Sequence, residues 1–341
     1  MIKYFSVLWC VIQCTYCGFG QSSIISFQEI DSLYLNGNYE EIVNQLDQLK
    51  TKAENSLDEV SAWIYLGRAY NKLGDYNKGL TILNKVLFRA ASATDYHKIQ
   101  AYGQKGKILE ALGKNWDAIK AYKKVVEFYE KENNPKTNLV YVDALSGISE
   151  VESKLGDDLR ALDYAQRSLE AYQQLGKKDK EPIVEATKML QIAILLKKNS
   201  QTEMAQKYVE YARKLSLGND EDSNLEWSEF YSLLSVYYLK LPDFRQSLQY
   251  NTEAMQQIMP DFKPNNKYQL PDISLLESTN SINISIDLLE FRAKVFRAEY
   301  SLNEQVETLE NALTIYEMLD QLLSRLRRFY IDQRTRLAWG D

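Results

Sequence analysis

The sequence predicts an all-α fold: a right-handed superhelix of about seven helix-turn-helix units, followed by a C-terminal connector helix. Three observations support this prediction. A phrase recurs at intervals of about 40 residues, small residues recur in pairs twelve positions apart, and turn-forming residues are scarce. Among 341 residues there are only 14 glycines and 6 prolines, which is too few for the turns of a many-stranded sheet.

Seven short turns mark the repeat. They begin at Leu35, Leu73, Leu112, Leu155, Lys197, Leu241 and, in a degenerate form, Glu299. Apolar residues flank the turns at helical spacing. Before the second turn, for example, Trp63, Leu66 and Tyr70 fall on one face of a helix. Each unit is therefore predicted to be a helix, a tight turn and a second helix.

Small residues define where the two helices of a unit cross. Five consecutive units have a small residue at both members of a pair: Gly67 and Gly79, Gly106 and Ala118, Ser149 and Ala161, Ala193 and Ala205, and Ser235 and Ser247. The last unit has Ala293 but Gln305 opposite it. Two helices pack closely only where the side chains at the crossing are small, so the pattern predicts close contact at these positions.

The stretch Trp63–Tyr70 reads W-x2-L-G-x2-Y in full. It resembles the tetratricopeptide repeat (TPR), and the resemblance covers nearly the whole chain from residue 24 onward. The units are longer than the usual 34 residues, which resembles a long-period TPR subclass. One departure is Glu152, which stands where the pattern expects an aromatic residue.

The N-terminal segment 1–20 is predicted to be a secretory signal peptide. Lys3 precedes a mostly apolar run over residues 4–17, and the small-x-small pattern of residues 18–20 suits cleavage before Gln21. All three cysteines lie here, at Cys10, Cys14 and Cys17. Export to the periplasm, cell surface or medium is the expectation. A lipid-anchored protein, or a cytoplasmic one with an apolar N-terminal extension, is the alternative.

The predicted solenoid spans residues 21–319 and contains an insertion at about 259–274. Three prolines, Pro260, Pro264 and Pro271, favour a loop there. The loop is either a tolerated insertion or a lip over the groove of the superhelix. Residues 320–341 form the predicted arginine-rich connector.

No motif for catalysis, a cofactor or a metal emerges. The one histidine, His97, has no cysteine nearby, and we interpret it as a surface or capping residue. The stretch Gly103–Lys107 lacks the spacing of a phosphate loop, and Asp157 and Asp158 are typical of a repeat turn. The formal charge of −6 gives no general attraction for nucleic acid. The chain is predicted not to be an enzyme.

The C-terminal quarter has a second, narrower resemblance. The residues that carry it are Ala312, Tyr316, Asp320, Gln321, Leu322, Arg327, Arg328 and Tyr330. They resemble the last repeat and connector of bacterial TPR–CHAT proteins, in which a caspase-like protease domain follows. This sequence has no cysteine after Cys17, so it lacks the Cys-His dyad of that domain. The resemblance implies the TPR part of such a protein, standing alone, split or truncated.

The predicted function is a non-catalytic scaffold that binds a peptide or protein partner in the concave groove of the superhelix. The residues expected to face the groove are Ile64, Arg68, Lys72, Gln100, Lys107, Glu110, Asp143 and Glu150. Arg325, Arg327 and Arg328 form either a solvated helix face or a docking surface for an acidic neighbour. The alternative function is the substrate-docking or regulatory arm of a secreted CHAT-type protease, with that protease domain as a partner.

Overall fold

The computed structural model describes residues 27–35, 38–49, 57–88, 90–131, 138–176, 180–217, 224–278 and 282–339. The predicted signal peptide at residues 1–20 lies outside these ranges and stays a prediction. The described chain is helical throughout and contains no strand. Its helices are α1 (Phe27–Leu35), α2 (Tyr39–Leu49), α3 (Leu57–Lys72), α4 (Tyr76–Phe88), α5 (Asp95–Ala111), α6 (Asn115–Lys131), α7 (Leu139–Lys154), α8 (Asp158–Gln173), α9 (Pro182–Lys198), α10 (Thr202–Ser216), α11 (Asn224–Leu239), α12 (Phe244–Ile258), α13 (Ile273–Ser278), α14 (Ile282–Asn303) and α15 (Val306–Trp339).

Seven helix pairs form the repeat units, as the sequence predicts. Each odd-numbered helix from α1 to α11 is the first helix of a unit and packs against the even-numbered helix that follows it. The seventh unit consists of α14 and α15, and the short helix α13 lies in the insertion before it. Most second helices also pack against the first helix of the next unit, so the core runs continuously along the stack.

Four of the turns between paired helices contain a residue whose backbone adopts the left-handed conformation, with positive φ. Gly74, Gly113 and Gly156 have φ angles of 76°, 69° and 87°, and Ser200 occupies the same place with a φ of 62°. A residue with positive φ ends a helix and lets the following amides bond to its last carbonyls. Lys114, for example, donates its backbone N–H to the Leu109 carbonyl at 2.8 Å. Glycine is preferred at this position because it has no Cβ to clash.

The paired small residues lie at the helix crossings, which confirms the predicted register. In the fourth unit the Ser149 hydroxyl donates to the Ala161 carbonyl at 2.7 Å, and in the sixth Ser235 donates to the Ser247 carbonyl at 2.6 Å. Such bonds need the two backbones to approach closely. In the second unit a Cβ added to Gly67 would lie 2.6 Å from Leu83 Cδ2. Larger side chains would therefore separate the helices.

The insertion between α12 and α14 is anchored by a buried arginine. Arg292 on α14 is fully buried, and its guanidinium donates to Asn251 Oδ1 at 3.0 Å on α12. It also donates to the backbone carbonyls of Lys267 and Gln269 in the insertion. Phe262 of the same segment is buried in the core of the last two units. The insertion is therefore packed on the solenoid through both polar and apolar contacts.

The last helix continues beyond its unit. Helix α15 has 34 residues, about 50 Å of helix at the usual rise, whereas the other second helices have 11 to 17. The predicted boundary between solenoid and connector, after residue 319, falls inside this helix. None of the helices in the described part of the chain is long and apolar enough to cross a membrane.

Candidate functional site

Charged side chains of the first helices meet from one unit to the next. Lys107 Nζ on α5 lies 2.7 Å from Asp143 Oδ2 on α7, and Lys154 Nζ on α7 lies 2.7 Å from Glu110 Oε1 on α5. Gln191 on α9 donates to Glu150 on α7 at 3.5 Å. These contacts join three consecutive first helices. We call the surface formed by these side chains, together with Arg68 and Lys72 on α3 and Glu226 and Glu229 on α11, the inner face.

The inner face is curved, so that distant units influence each other. The pKa of Lys72 on α3 is lowered by burial and by Lys107, while Glu229 and Glu226 on α11 act in the opposite direction. Helix α11 lies four units further along the chain. Such an influence across four units agrees with a row of first helices that bends around a common space, as in a TPR-type superhelix.

Lys107 and Asp143 balance each other on this face. The carboxylate of Asp143 raises the pKa of Lys107 above its ordinary value. Burial alone would raise the pKa of Asp143, but the ammonium of Lys107 holds it below its ordinary value. Both groups are therefore charged at neutral pH, and the pair is electrically satisfied.

Glu110 is held by partners from two other helices. Besides Lys154, it accepts a hydrogen bond at 3.0 Å from the Tyr122 hydroxyl, which comes from the second helix α6. The Tyr122 ring lies against Gly106 and Gly147, where an added Cβ would collide with it. Burial and, to a smaller extent, the nearby Glu110 carboxylate raise the pKa of Tyr122 above its ordinary value. The phenol therefore keeps its proton. The two glycines thus make room for the tyrosine that orients Glu110.

Two other carboxylates of the inner face, Glu150 and Glu229, have no ion-pair partner among the described residues. Within the described residues, no lysine or arginine nitrogen lies within 4.0 Å of Glu150 or Glu229. Burial, then Glu110 and Glu229, raise the pKa of Glu150 to about 8, against the opposing effect of nearby lysines. Burial also raises the pKa of Glu229. Lysines at longer range act in the opposite direction, Lys154 and Lys188 on Glu150 and Lys188 on Glu229.

Lys188 on α9 is a buried amine beside these carboxylates. It is 9% exposed, and its Nζ donates to Ser146 Oγ at 2.8 Å and Ser168 Oγ at 3.2 Å. Burial lowers its pKa. Lys188 was not among the residues predicted from the sequence. The available signal was a lysine inside the otherwise apolar run of α9, where a charged side chain needs a partner.

Four of the residues predicted to line the groove meet on the inner face, and their role in binding a partner stays a prediction. Lys107, Glu110, Asp143 and Glu150 are brought together, as described above. Arg68 is half-buried, with its guanidinium carbon 5.9 Å from the centre of the Tyr34 ring, and Lys72 is exposed at the end of α3. Gln100 is half-buried on α5.

The prediction for Ile64 was wrong. Its side chain is 2% exposed and packs with Val60, Leu83 and Val86 between α3 and α4. It therefore belongs to the core and does not line a surface. Ile64 lies three residues before Gly67, on the side of α3 that meets its paired helix.

Other predicted positions have local roles or lie outside the described residues. His97 forms a capping box with Thr94 at the start of α5, which confirms the capping interpretation. Asp157 caps α8 by accepting from the Arg160 amide at 3.1 Å. Arg325 is exposed on α15. The side chains of Arg327 and Arg328 lie outside the described residues, so their docking role stays a prediction.

Comparisons with known proteins agree with this architecture. Residues 58–131, which cover the second and third units, match the family TPR_12, tetratricopeptide repeat. No curated protein sequence matches the chain.

Three solved structures illustrate the likeness in fold. A Rap protein complexed with competence and sporulation factor aligns at 13% identity and a TM-score of 0.59, over 88% of this chain and 74% of that one. The apo form of RapI aligns at 13% identity and 0.58, over 88% and 99%. BtubC from P. vanneervenii aligns at 16% identity and 0.52, over 70% and 97%. At these identities the likeness shows the fold alone, which is an all-α solenoid of TPR type.

Proposed function

We propose that this chain is a non-catalytic scaffold that binds a peptide segment of a partner protein on its inner face. The observation that carries the proposal is the inner face itself, a curved row of first helices whose polar side chains point at one another and at solvent. A TPR-type solenoid offers a protein partner such a surface, and an extended or helical segment can contact several units at once.

One further observation supports this function. A structural neighbour with the same fold, the Rap protein, is complexed with competence and sporulation factor.

The test is selection of displayed random twelve-residue peptides on the purified protein, followed by affinity measurements with the selected peptides. Arg68→Gln combined with Lys107→Gln should weaken binding, because both side chains lie on the inner face. The matched control is Lys120→Gln combined with Lys124→Gln on the second helix α6, where both lysines are exposed. Equal melting temperatures show that both variants are folded. Loss of binding in the control but not in the inner-face variant would place the binding site elsewhere.

A second candidate function rests on α15. We propose as the alternative that this long helix, with Arg325, Arg327 and Arg328, docks a CHAT-type protease domain, so that the solenoid serves as its substrate-docking arm. The continuity of α15 through residue 339 supports a rigid connection between the last unit and a neighbour. Charge reversal at Arg325 should then weaken association with a purified CHAT-type domain and leave peptide binding unchanged.

We also propose that the chain acts after export. The apolar segment before Gln21 supports this localisation. Intact mass measurement of the protein from its source cells tests it. A chain that begins at Gln21 supports export, and a chain that retains Met1 and lies in the cytoplasm contradicts it.

A further inference from the structure

We propose that two copies of this chain associate through helix α15, antiparallel and related by a two-fold axis, so that residues 323–339 of each copy pack on the last unit of the other. This inference goes beyond the proposed function, because it concerns the end of the stack and not the inner face. It rests on an apolar stripe that the last unit leaves exposed, on the length of α15 and on the charge pattern along this helix.

Apolar side chains form a stripe along one side of α15. They recur three or four residues apart, as in the seam of a coiled coil, at Val306, Leu309, Leu313 and Tyr316. Val306 is 62% exposed and Leu313 is 54% exposed, while Leu309 and Tyr316 are half-buried. Leu323, which is 39% exposed, continues the stripe seven residues after Tyr316. We call these five residues the end stripe.

Other units show what covers the same positions. Val306 and Leu313 stand one and eight residues after Gln305, the crossing position of α15. In the third, fourth and sixth units the corresponding residues are apolar and buried, and they are Ile119 and Val126, Leu162 and Leu169, and Leu248 and Met255. In each of these units the second helix packs against the first helix of the next unit. A following helix is therefore what buries these positions elsewhere in the stack.

The fifth unit shows that polar residues also suit these positions. Its second helix α10 packs less closely against the first helix of the next unit. The corresponding residues there are Gln206, which is exposed, and Arg213, which is half-buried. The last unit instead has valine and leucine at these positions. Exposed apolar side chains that form a continuous stripe mark an interaction surface, and the stack indicates that a helix fits it.

A second copy of α15 can supply this helix. Helix α15 continues past the end of its unit, through residue 339. The stretch 323–339 is as long as the first helices α3, α5, α7, α9 and α11, which have 16 or 17 residues. In an antiparallel pair, this stretch of each copy lies along the last unit of the other. Such an interface uses the same surface on both copies and closes with two of them.

The charges of α15 favour the antiparallel arrangement. Residues 306–321 contain four acidic residues and no lysine or arginine, whereas residues 322–339 contain five arginines and one aspartate. An antiparallel pair places the acidic half of each copy against the basic half of the other, while a parallel pair places like charges together. Glu310 and Glu317 flank the end stripe seven residues apart, and Arg327 and Arg334 continue its register seven residues apart. Two glutamates therefore meet two arginines at each end of the pair.

The test is the molar mass of the purified protein in solution, measured by light scattering after size-exclusion chromatography. The unchanged protein should have twice the mass of one chain at about 50 μM. Glu310→Lys with Glu317→Lys should raise the dissociation constant of the dimer at least about a hundredfold, because like charges then meet. Arg327→Glu with Arg334→Glu should do the same. An equimolar mixture of these two variants should form the dimer again, since opposite charges then meet at both ends.

Two further variants separate the interface from the fold. Leu313→Asn removes apolar area from the end stripe and should also weaken the dimer. The matched control is Glu203→Lys with Glu210→Lys, two exposed positions seven residues apart on the second helix α10, and it should stay dimeric. Unchanged far-ultraviolet circular dichroism shows that each variant is folded.

Each outcome decides the inference. A dimer that the control keeps, that both charge variants lose and that their mixture restores supports it. A folded monomer at about 50 μM would overturn it and leave the end stripe to a different protein. A dimer that survives both charge reversals would overturn it by placing the interface elsewhere. Charge variants that dissociate and do not recover on mixing would overturn the antiparallel arrangement, and with it the proposal.

Discussion

Lys107 on α5 and Asp143 on α7 lie 2.7 Å apart, Nζ to Oδ2, and this ion pair links the first helices of the third and fourth units across the inner face. Both side chains are roughly half exposed, at 40% and 48%. The pair therefore fixes the charge of the face more than it stabilises the fold.

A double-mutant cycle measures the strength of this pair. Lys107→Met, Asp143→Asn and the double variant should give a coupling free energy of about 0.5 kcal/mol near neutral pH, because solvent screens half-exposed charges. The folded-state pKa of Asp143 is below its ordinary value, so its contribution is present above about pH 4 and is lost as the pH falls through the folded-state pKa. Urea denaturation at neutral pH and at about pH 3 measures both. A coupling that grows at low pH would contradict the assignment.

Gly147 must remain small because Tyr122 lies against it. Gly147→Ala should reduce the free energy of unfolding by about 1–3 kcal/mol, since the new Cβ collides with the phenol ring. In a Tyr122→Leu background the collision disappears. The same change should then be neutral or stabilising by up to about 1 kcal/mol, as expected for a helical glycine. Chemical denaturation of the four proteins tests this. Equal effects of Gly147→Ala in both backgrounds would show that the ring is not the cause.

Arg292 should control the insertion. Arg292→Met removes the donors to the Lys267 and Gln269 carbonyls and should lower the free energy of unfolding by about 3 kcal/mol. Trypsin cleavage after Lys267 should become faster at temperatures where the rest of the fold is intact. Arg297→Met serves as the control, because Arg297 is exposed on the same helix. Unchanged cleavage after Lys267 in the Arg292 variant would mean that apolar contacts alone hold the segment.

Lys188 is expected to destabilise the fold when it is charged. Its folded-state pKa is below 10.5, so the unfolded chain binds the proton more tightly and burial of the charge opposes folding at neutral pH. Lys188→Met should therefore raise the free energy of unfolding by about 1 kcal/mol at pH 7. The difference should shrink as the pH rises toward 10.5. A variant less stable than the parent at pH 7 would show that the bonds to Ser146 and Ser168 outweigh the burial.

The sequence predicted those features of the fold that depend on local spacing. The crossings at Gly67 and Gly79, or at Ser235 and Ser247, could be read from the repeat, since each pair lies within a single unit. Gly74, Gly113 and Gly156 likewise indicated the positions of three turns, since each turn lies within a single unit. The prediction that Ile64 faces the groove was wrong for a physical reason. Periodicity places a residue on a side of the helix, but whether that side is open depends on how the neighbouring helices pack.

Long-range placement of charge could not be predicted. Arg292 is buried because α12 and the insertion fold back over it, and no local pattern indicates a buried cation there. The raised pKa of Glu150 depends on burial first and then on Glu110 and Glu229, from the third and sixth units. Such effects arise from the curvature of the stack, which is set by packing between units. The predicted groove residues other than Ile64 do lie on first helices with side chains that are at least partly exposed, and their role in binding a partner stays a prediction.

The central claim is that a peptide binds along the inner face. Hydrogen–deuterium exchange of the protein with and without a saturating selected peptide tests it most directly. The account predicts added protection of backbone amides in α5, α7, α9 and α11, with little change in the second helices α6, α8 and α10. Protection confined to the second helices, or to the turns between paired helices, would contradict it.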